Sequence, residues 1–256
     1  MKRVTFPDVP GTAGTTIDPD ELAPSGWGRA SEVLWHVPRL LAGLGPLGPR
    51  GPEDGPPVLV LPGFMANDRT TMDLRRALAR AGWRAYPWED GTNRGARPDT
   101  LDRLKARLAA IYDGRPVLLV GWSLGGMFAR ELARVAPGMV RAVVTLGSPF
   151  SGDPRNSTNI RAWYERIAGH PVDQPPIPRS PDKPPVPTLA FYSRRDGIVS
   201  VRSARGLAHE TDRAVELDTG HIGFAIDRRA LSQMTVEIRR FLEETEPKAG
   251  GAKTPA

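Results

Sequence analysis

From Val58 onward, short apolar runs alternate with stretches whose apolar residues recur every three to four positions. Val58-Leu59-Val60-Leu61 and Val117-Leu118-Leu119-Val120 are unbroken apolar runs closed by Pro-Gly or Gly, the signature of strands buried on both faces. Trp83 to Trp88 alternates as a half-buried strand does. Val140 to Leu146, Leu189-Ala190-Phe191-Tyr192 and Val215-Glu216-Leu217 bring the predicted strands to six. Helical spacing predicts helices over Thr70 to Gly82, around Leu101, Leu104, Leu108 and Ile111, from Ser123 through Met127, Phe128, Leu132 and Val135, near Ser203 to His209, and from Arg228 to about Glu244. A parallel connection needs a long crossover, and its helix packs back on the sheet. The alternation therefore predicts an α/β fold, a mainly parallel sheet of about six strands with helices on both faces.

The first 57 residues break this rhythm. Pro7 to Gly28 and Gly45 to Pro57 are too rich in Gly and Pro for long regular elements, since Pro lacks a donor and Gly is entropically costly to fix. Between them, Ser31 to Leu44 carries Val33, Leu34, Val37, Leu40, Leu41 and Leu44 at helical spacing, with a kink or restart at Pro38. Such a helix either lies against the core or meets a membrane surface or partner. A second interruption, Phe150 to Pro187, is Pro-rich and holds Ile160, Trp163, Tyr164 and Ile167; it reads equally as a cap or as a loop covering the sheet edge. The expected organisation is a Gly/Pro-rich arm over 1–57, an α/β domain over 58–246 with a cap or lid at 150–187, and a disordered tail over 247–256.

Composition narrows the chemistry. Among 256 residues there is no cysteine, which excludes a disulfide framework, a thiolate nucleophile and cysteine-ligated zinc. Reactive groups must come from Ser, His, Asp, Glu or Lys. The net charge of +6 suggests nucleic acid, but the arginines are dispersed among Asp and Glu with no basic tract, so a solvated Arg-rich surface is expected and no nucleic-acid partner. No apolar run approaches the ~18 residues needed to span a bilayer. The basic opening Met1-Lys2-Arg3 meets Pro7 and Asp8 before any apolar stretch, so no signal peptide is visible and a cytoplasmic location is expected, with peripheral membrane contact left open.

One motif concentrates the chemistry. Gly121-Trp122-Ser123-Leu124-Gly125 fits G-x-S-x-G, follows a buried strand and opens a helix. Such a turn strains its central residue and lifts the side chain over the carboxyl edge of the sheet, with glycines where side chains would clash. The plainer reading is a Gly-rich turn whose serine caps the helix.

At these residues the sequence resembles the α/β-hydrolase superfamily, over about residues 58 to 244, and among subfamilies it resembles bacterial lipases and esterases. The resemblance rests on Leu61-Pro62-Gly63-Phe64, the Ser123 motif, Leu146-Gly147-Ser148-Pro149-Phe150, Arg195-Asp196-Gly197-Ile198-Val199, Gly220-His221-Ile222-Gly223-Phe224 and the stretch Trp88 to Gly95. The first two strands usual in that fold are not evident. The family's chain order of nucleophile, acid and histidine implies Ser123, Asp196 and His221. His36 and His170 precede the acid, and His209 falls in a helical pattern, whereas His221 follows a strand. Asp196 likewise follows a strand, unlike Asp153, Asp212 and Asp218, although it could instead cap the next helix. The resemblance further implies an oxyanion hole from the backbone N–H groups of Phe64 and Leu124. Pro62 stands where lipases often carry His, which leaves a backbone donor intact.

The expected activity is cleavage of a carboxylic ester, of a small molecule or lipid, through an acyl-enzyme on Ser123, with no metal or organic cofactor. Acyl transfer to another acceptor would use the same intermediate. A partner-binding protein that keeps the fold without catalysis is the remaining alternative.

Overall fold

The computed structural model describes residues 19–25 and 52–246. The helix predicted over Ser31 to Leu44 and the tail over 247–256 lie outside the described residues, as does most of the arm. The six expected strands are β1 (Pro57–Leu61), β2 (Arg84–Tyr86), β3 (Val117–Trp122), β4 (Val140–Leu146), β5 (Thr188–Tyr192) and β6 (Arg213–Glu216). All pair in parallel, in the order β2-β1-β3-β4-β5-β6. Burial follows position in that order. The central strands β1 and β3 are buried at every residue, whereas edge strand β6 alternates between half-buried and exposed positions.

Helices cover both faces. On one, Val58, Val60, Val120, Val144 and Phe191 pack against α1 (Met72–Arg80), α6 (Gly223–Ile226) and α7 (Arg228–Glu244); on the other, Leu59, Leu61, Leu119 and Val143 pack against α2 (Thr100–Ile111) and α3 (Leu124–Val135). Asp227 caps α7, its carboxylate accepting the N–H groups of Arg229 and Ala230.

Two expectations change. The helix placed near Ser203 to His209 is α5 (Val201–Arg205), begun by the Ser200 side chain; it closes at Gly206, whose φ of 73° residues with side chains rarely adopt, and His209 sits in the turn beyond. The interval after β4 holds α4 (Arg161–Ala168), stopped by Gly169 in the left-handed conformation at φ 78°. Prolines on either side hid that helix from a periodicity reading.

Strand order reverses direction between β1 and β3. From β1 the chain steps outward to β2, while from β3 it steps the other way through β4, β5 and β6. A parallel sheet leaves a crevice at the carboxyl ends of its strands at such a switch point. Here Leu61 is the register partner of Gly121, so the segment Pro62–Met65 and the turn at Ser123 leave the sheet side by side.

Candidate active site

Ser123 links β3 to α3 with φ 53° and ψ −121°, a region costing a non-glycine residue about 1–3 kcal/mol. Its surroundings over-determine that conformation. The Ser123 N–H donates to the Leu146 carbonyl at 2.8 Å, and its carbonyl accepts the Gly126 N–H at 3.0 Å. A Cβ on Gly121 would run into the backbone of Gly125 and Gly126, one on Gly125 into Leu61 and Pro62, and one on Gly126 into the Ser148 side chain. The motif's glycines thus serve close approach rather than unusual φ. The Ser123 hydroxyl makes no capping bond to α3, which disposes of the helix-cap alternative.

Asp196 lies on the loop after β5 and His221 on the loop after β6, both buried. Asp196 divides its oxygens: Oδ1 accepts the N–H groups of Ile198 and Val199, each at 2.8 Å, and Oδ2 meets His221 Nδ1 at 2.7 Å. Those two N–H bonds close a turn and do not cap α5, whose N-cap is Ser200, so the helix-cap alternative for Asp196 falls. Since a carboxylate only accepts, Nδ1 carries the proton and Nε2 keeps a lone pair in the neutral ring. Gly147, at φ 52°, keeps this pair uncrowded, because a Cβ there would lie 2.9 Å from Asp196 Oδ2 and 2.9 Å from the Phe224 ring. Ser193 Oγ donates to the Thr219 carbonyl at 2.6 Å and ties the two loops together. Trp122, next to Ser123 in the chain, donates its indole N–H to the His221 carbonyl at 3.0 Å. All three polar residues thus stand on one rim of the sheet.

The other candidates do not meet His221. Asp153, Asp212 and Asp218 are exposed and bind, respectively, the Arg155 N–H, Lys183 with the Thr188 N–H, and Arg195. His170 pairs with the Tyr164 hydroxyl at 3.4 Å, and His36 lies outside the described residues.

The loop Pro62–Ala66 packs directly on the Ser123 turn: a Cβ on Gly63 would lie 3.1 Å from Ser123 Cβ. Neither the Phe64 N–H nor the Leu124 N–H has an acceptor among the described residues; Leu124 carries the first N–H of α3, whereas Phe64 stands in a turn. The Phe64 ring sits edge-on to Trp163 and Tyr164 of α4, centroids 5.1 Å apart in each case.

Beside Ser123 opens a cavity of about 90 Å³, mostly apolar, between Leu124, Met127 and Phe128 on one side and Ile160, Tyr164 and Ile177 on the other. Residues of the 150–187 interval supply more than half of its lining. Burial raises the Tyr164 hydroxyl above its ordinary range, so it is neutral at physiological pH, and burial lowers the Arg179 guanidinium at the same wall. Among the described residues no group of three or more His, Asp or Glu could hold a metal ion, and no helix is long and apolar enough to cross a membrane.

Two parts of this arrangement were not singled out from sequence. Trp122 sits inside the recognised motif but carried no separate signal. Asn93 lies in the Trp88 to Gly95 stretch, where no periodicity marks a buried amide.

A six-stranded parallel sheet with a strained serine turn at its switch point, and a buried Asp–His pair on the next two loops, defines a class of α/β proteins. Comparison with known proteins agrees. The family described as alpha/beta hydrolase fold matches residues 56–173. The chain has the architecture of the α/β-hydrolase fold, and the family match covers a little under half of its length. No curated protein matches it in sequence. Similar solved structures include a candidate aryl esterase from Burkholderia cenocepacia, 17% identical, with TM-score 0.54 over 75% of this chain and 93% of that one. A candidate lipase from Acinetobacter baumannii is 15% identical, with TM-score 0.54 over 83% and 96%. The thioesterase domain of the curacin biosynthetic pathway is 16% identical, with TM-score 0.53 over 73% and 93%. At such identities the likeness is one of fold.

Proposed function

We propose that the protein is a serine hydrolase that cleaves carboxylic esters with an apolar acyl part. The observation that carries this reading is the buried 2.7 Å contact between Asp196 and His221 Nδ1, on the same rim as a serine whose strained backbone no capping bond explains. A serine hydroxyl is a weak nucleophile at neutral pH and needs a base with its lone pair free; an imidazole held through Nδ1 offers Nε2. Ser123 Oγ attacks the ester carbonyl carbon as its proton passes to Nε2. The oxygen that becomes negative is received by the Phe64 and Leu124 N–H groups, each worth about 3 kcal/mol when well aimed. Nε2 then returns the proton to the departing alcohol as the carbon–oxygen bond breaks. Water repeats the sequence on the acyl-serine and releases the acid. Asp196 holds the tautomer and stabilises the imidazolium.

The apolar cavity supports an apolar acyl group, and the interval 150–187, which supplies most of its far wall, serves in this reading as a cap. Structures of the same fold named as esterase, lipase and thioesterase suit this acyl chemistry.

A fluorophosphonate probe tests the proposal. Labelling is expected on Ser123 and not in Ser123→Ala, and p-nitrophenyl esters should be hydrolysed by the native chain and about 10³-fold or more slowly by the variant. A folded native chain that is neither labelled nor active overturns it in favour of the partner-binding alternative. Product analysis with an added alcohol separates hydrolysis from acyl transfer.

A further inference from the structure

We infer that Asn93 is a positioning residue for the oxyanion hole, acting through the Phe64 N–H; the inference rests on the assignment of that N–H proposed above. Asn93 is only 1% exposed and lies on the loop after β2, distant in sequence from the Pro62–Ala66 loop it holds. Its Nδ2 donates to the Pro62 carbonyl at 2.8 Å, its carbonyl accepts the Met65 N–H at 2.7 Å, and its N–H donates to the Ala66 carbonyl at 2.8 Å. Oδ1 accepts the Gly95 N–H at 3.2 Å, so both ends of the amide are engaged and its orientation is set.

The placement of these bonds matters more than their number. The Pro62 carbonyl belongs to the peptide before Gly63, and the Met65 N–H to the peptide after Phe64. The peptide between these two carries the Phe64 N–H. Asn93 therefore anchors the planes on either side of the donor and leaves the donor itself uncommitted.

The loop needs anchoring because Met65 sits at φ 59°, a left-handed conformation that costs a side-chain-bearing residue about 1–2 kcal/mol. Released, that residue would relax and turn the neighbouring peptides with it. The Asn93 loop is itself braced from behind. Gly95, at φ 111°, lies so close to α4 that a Cβ would stand 2.6 Å from the Ala168 Cβ.

A buried amide that merely joined two loops would affect stability alone. One that aims a donor affects the transition state selectively, because the oxyanion exists only there. Asn93→Ala is expected to lower kcat on a p-nitrophenyl ester about 10–100-fold with KM within about 3-fold, and to weaken binding of a trifluoromethyl ketone, which mimics the tetrahedral oxyanion, by the same factor. Asn93→Asp supplies a test by rescue. It keeps the acceptor toward Gly95 and all backbone bonds, but donates to the Pro62 carbonyl only when protonated. Its kcat, taken as a ratio to the native chain at each pH, should recover as pH falls, and this ratio decides the matter even if Asn93→Ala does not fold. Folded variants with unchanged kcat and ketone affinity, a rise in KM alone, or a flat Asn93→Asp ratio overturn the inference while leaving the ester-hydrolase reading standing. An inert native chain overturns that reading and this inference together.

Discussion

Ser123, His221 and Asp196 were legible in the sequence because each stands just after an apolar run, and a parallel sheet brings all such positions to one edge. The family's chain order then set aside His36 and His170, and the helical pattern around His209 set that one aside. Asn93 and Trp122 were not legible, since their roles depend on backbone groups distant in sequence whose approach only the folded loops define. The division of labour on the Asp196 carboxylate yields a residue-scale prediction. In Asp196→Asn the amide oxygen takes over the two N–H bonds from Ile198 and Val199, which turns the NH2 toward His221 Nδ1. A donor there forces the proton onto Nε2, the nitrogen that must act as base. Folding should survive, while kcat for ester hydrolysis falls about 10³–10⁴-fold. Labelling of Ser123 by the fluorophosphonate should slow in parallel. A variant with near-native turnover would show that the carboxylate does not set the tautomer.

Individual elements explain how the site keeps its walls. One stretch of α3 bolts down the end of the proline-rich interval: Arg130 donates to the carbonyls of Pro181 and Asp182, both at 2.8 Å, and to that of Glu210 at 3.1 Å, while its guanidinium lies 4.3 Å over the Phe150 ring. Glu131, a residue later, accepts the Ser180 N–H at 3.2 Å. Burial lowers the Arg130 guanidinium to about 10, so it remains charged at neutral pH and its donors remain available. On the opposite side Asn159 donates to the carbonyls of Pro24 and Gly197, both at 2.9 Å, and so fastens the described part of the N-terminal arm to the loop bearing Asp196. Arg130→Met keeps the volume of the stem but removes every donor. Replacing both members of a buried polar contact can be neutral, but here the carbonyls of Pro181 and Glu210 would remain without their partner, while that of Asp182 keeps Arg134. A loss of about 2–4 kcal/mol is expected in denaturant unfolding, together with faster hydrogen exchange over 179–183. Unchanged stability would mean that water enters and satisfies those carbonyls. None of this bracing could be read from the sequence: an arginine at a helical position predicts a solvated face, and Arg130 is buried because the returning segment closes over it.

At the scale of the whole molecule, the basic surface becomes a question of pH. The sequence already implied arginines solvated among acids rather than gathered for nucleic acid, and the fold distributes many of them into surface pairs: Arg84 and Arg115 with Asp113, Arg155 with Asp173, Arg213 and Arg240 with Glu244. The arginine partners hold Asp113, Asp173 and Glu244 below the ordinary carboxylate range. A carboxylate whose folded value lies below its unfolded one binds fewer protons when folded. Its stabilisation is therefore present above about pH 4 and disappears as pH falls through the folded value. Asp68 has the opposite sign: burial raises it despite bonds from the Trp88 and Glu89 N–H groups, so acid relieves a cost there. Net charge, already +6 at pH 7, climbs steeply as carboxylates protonate, and self-repulsion adds to the loss. Tm should thus fall between pH 6 and pH 3. Glu244→Gln separates the pair effect from the general one, because Glu244 joins α7 to edge strand β6 through Arg213 and its pairing exists only when ionised. Near pH 7 the variant should melt below the native chain, and the two should converge as acid carries the native residue through its lowered folded value. Added salt should narrow the neutral-pH gap by screening exposed charges. A gap that does not narrow as pH falls would show that Glu244 stabilises through packing rather than charge, and would remove it from the acid-sensitive set.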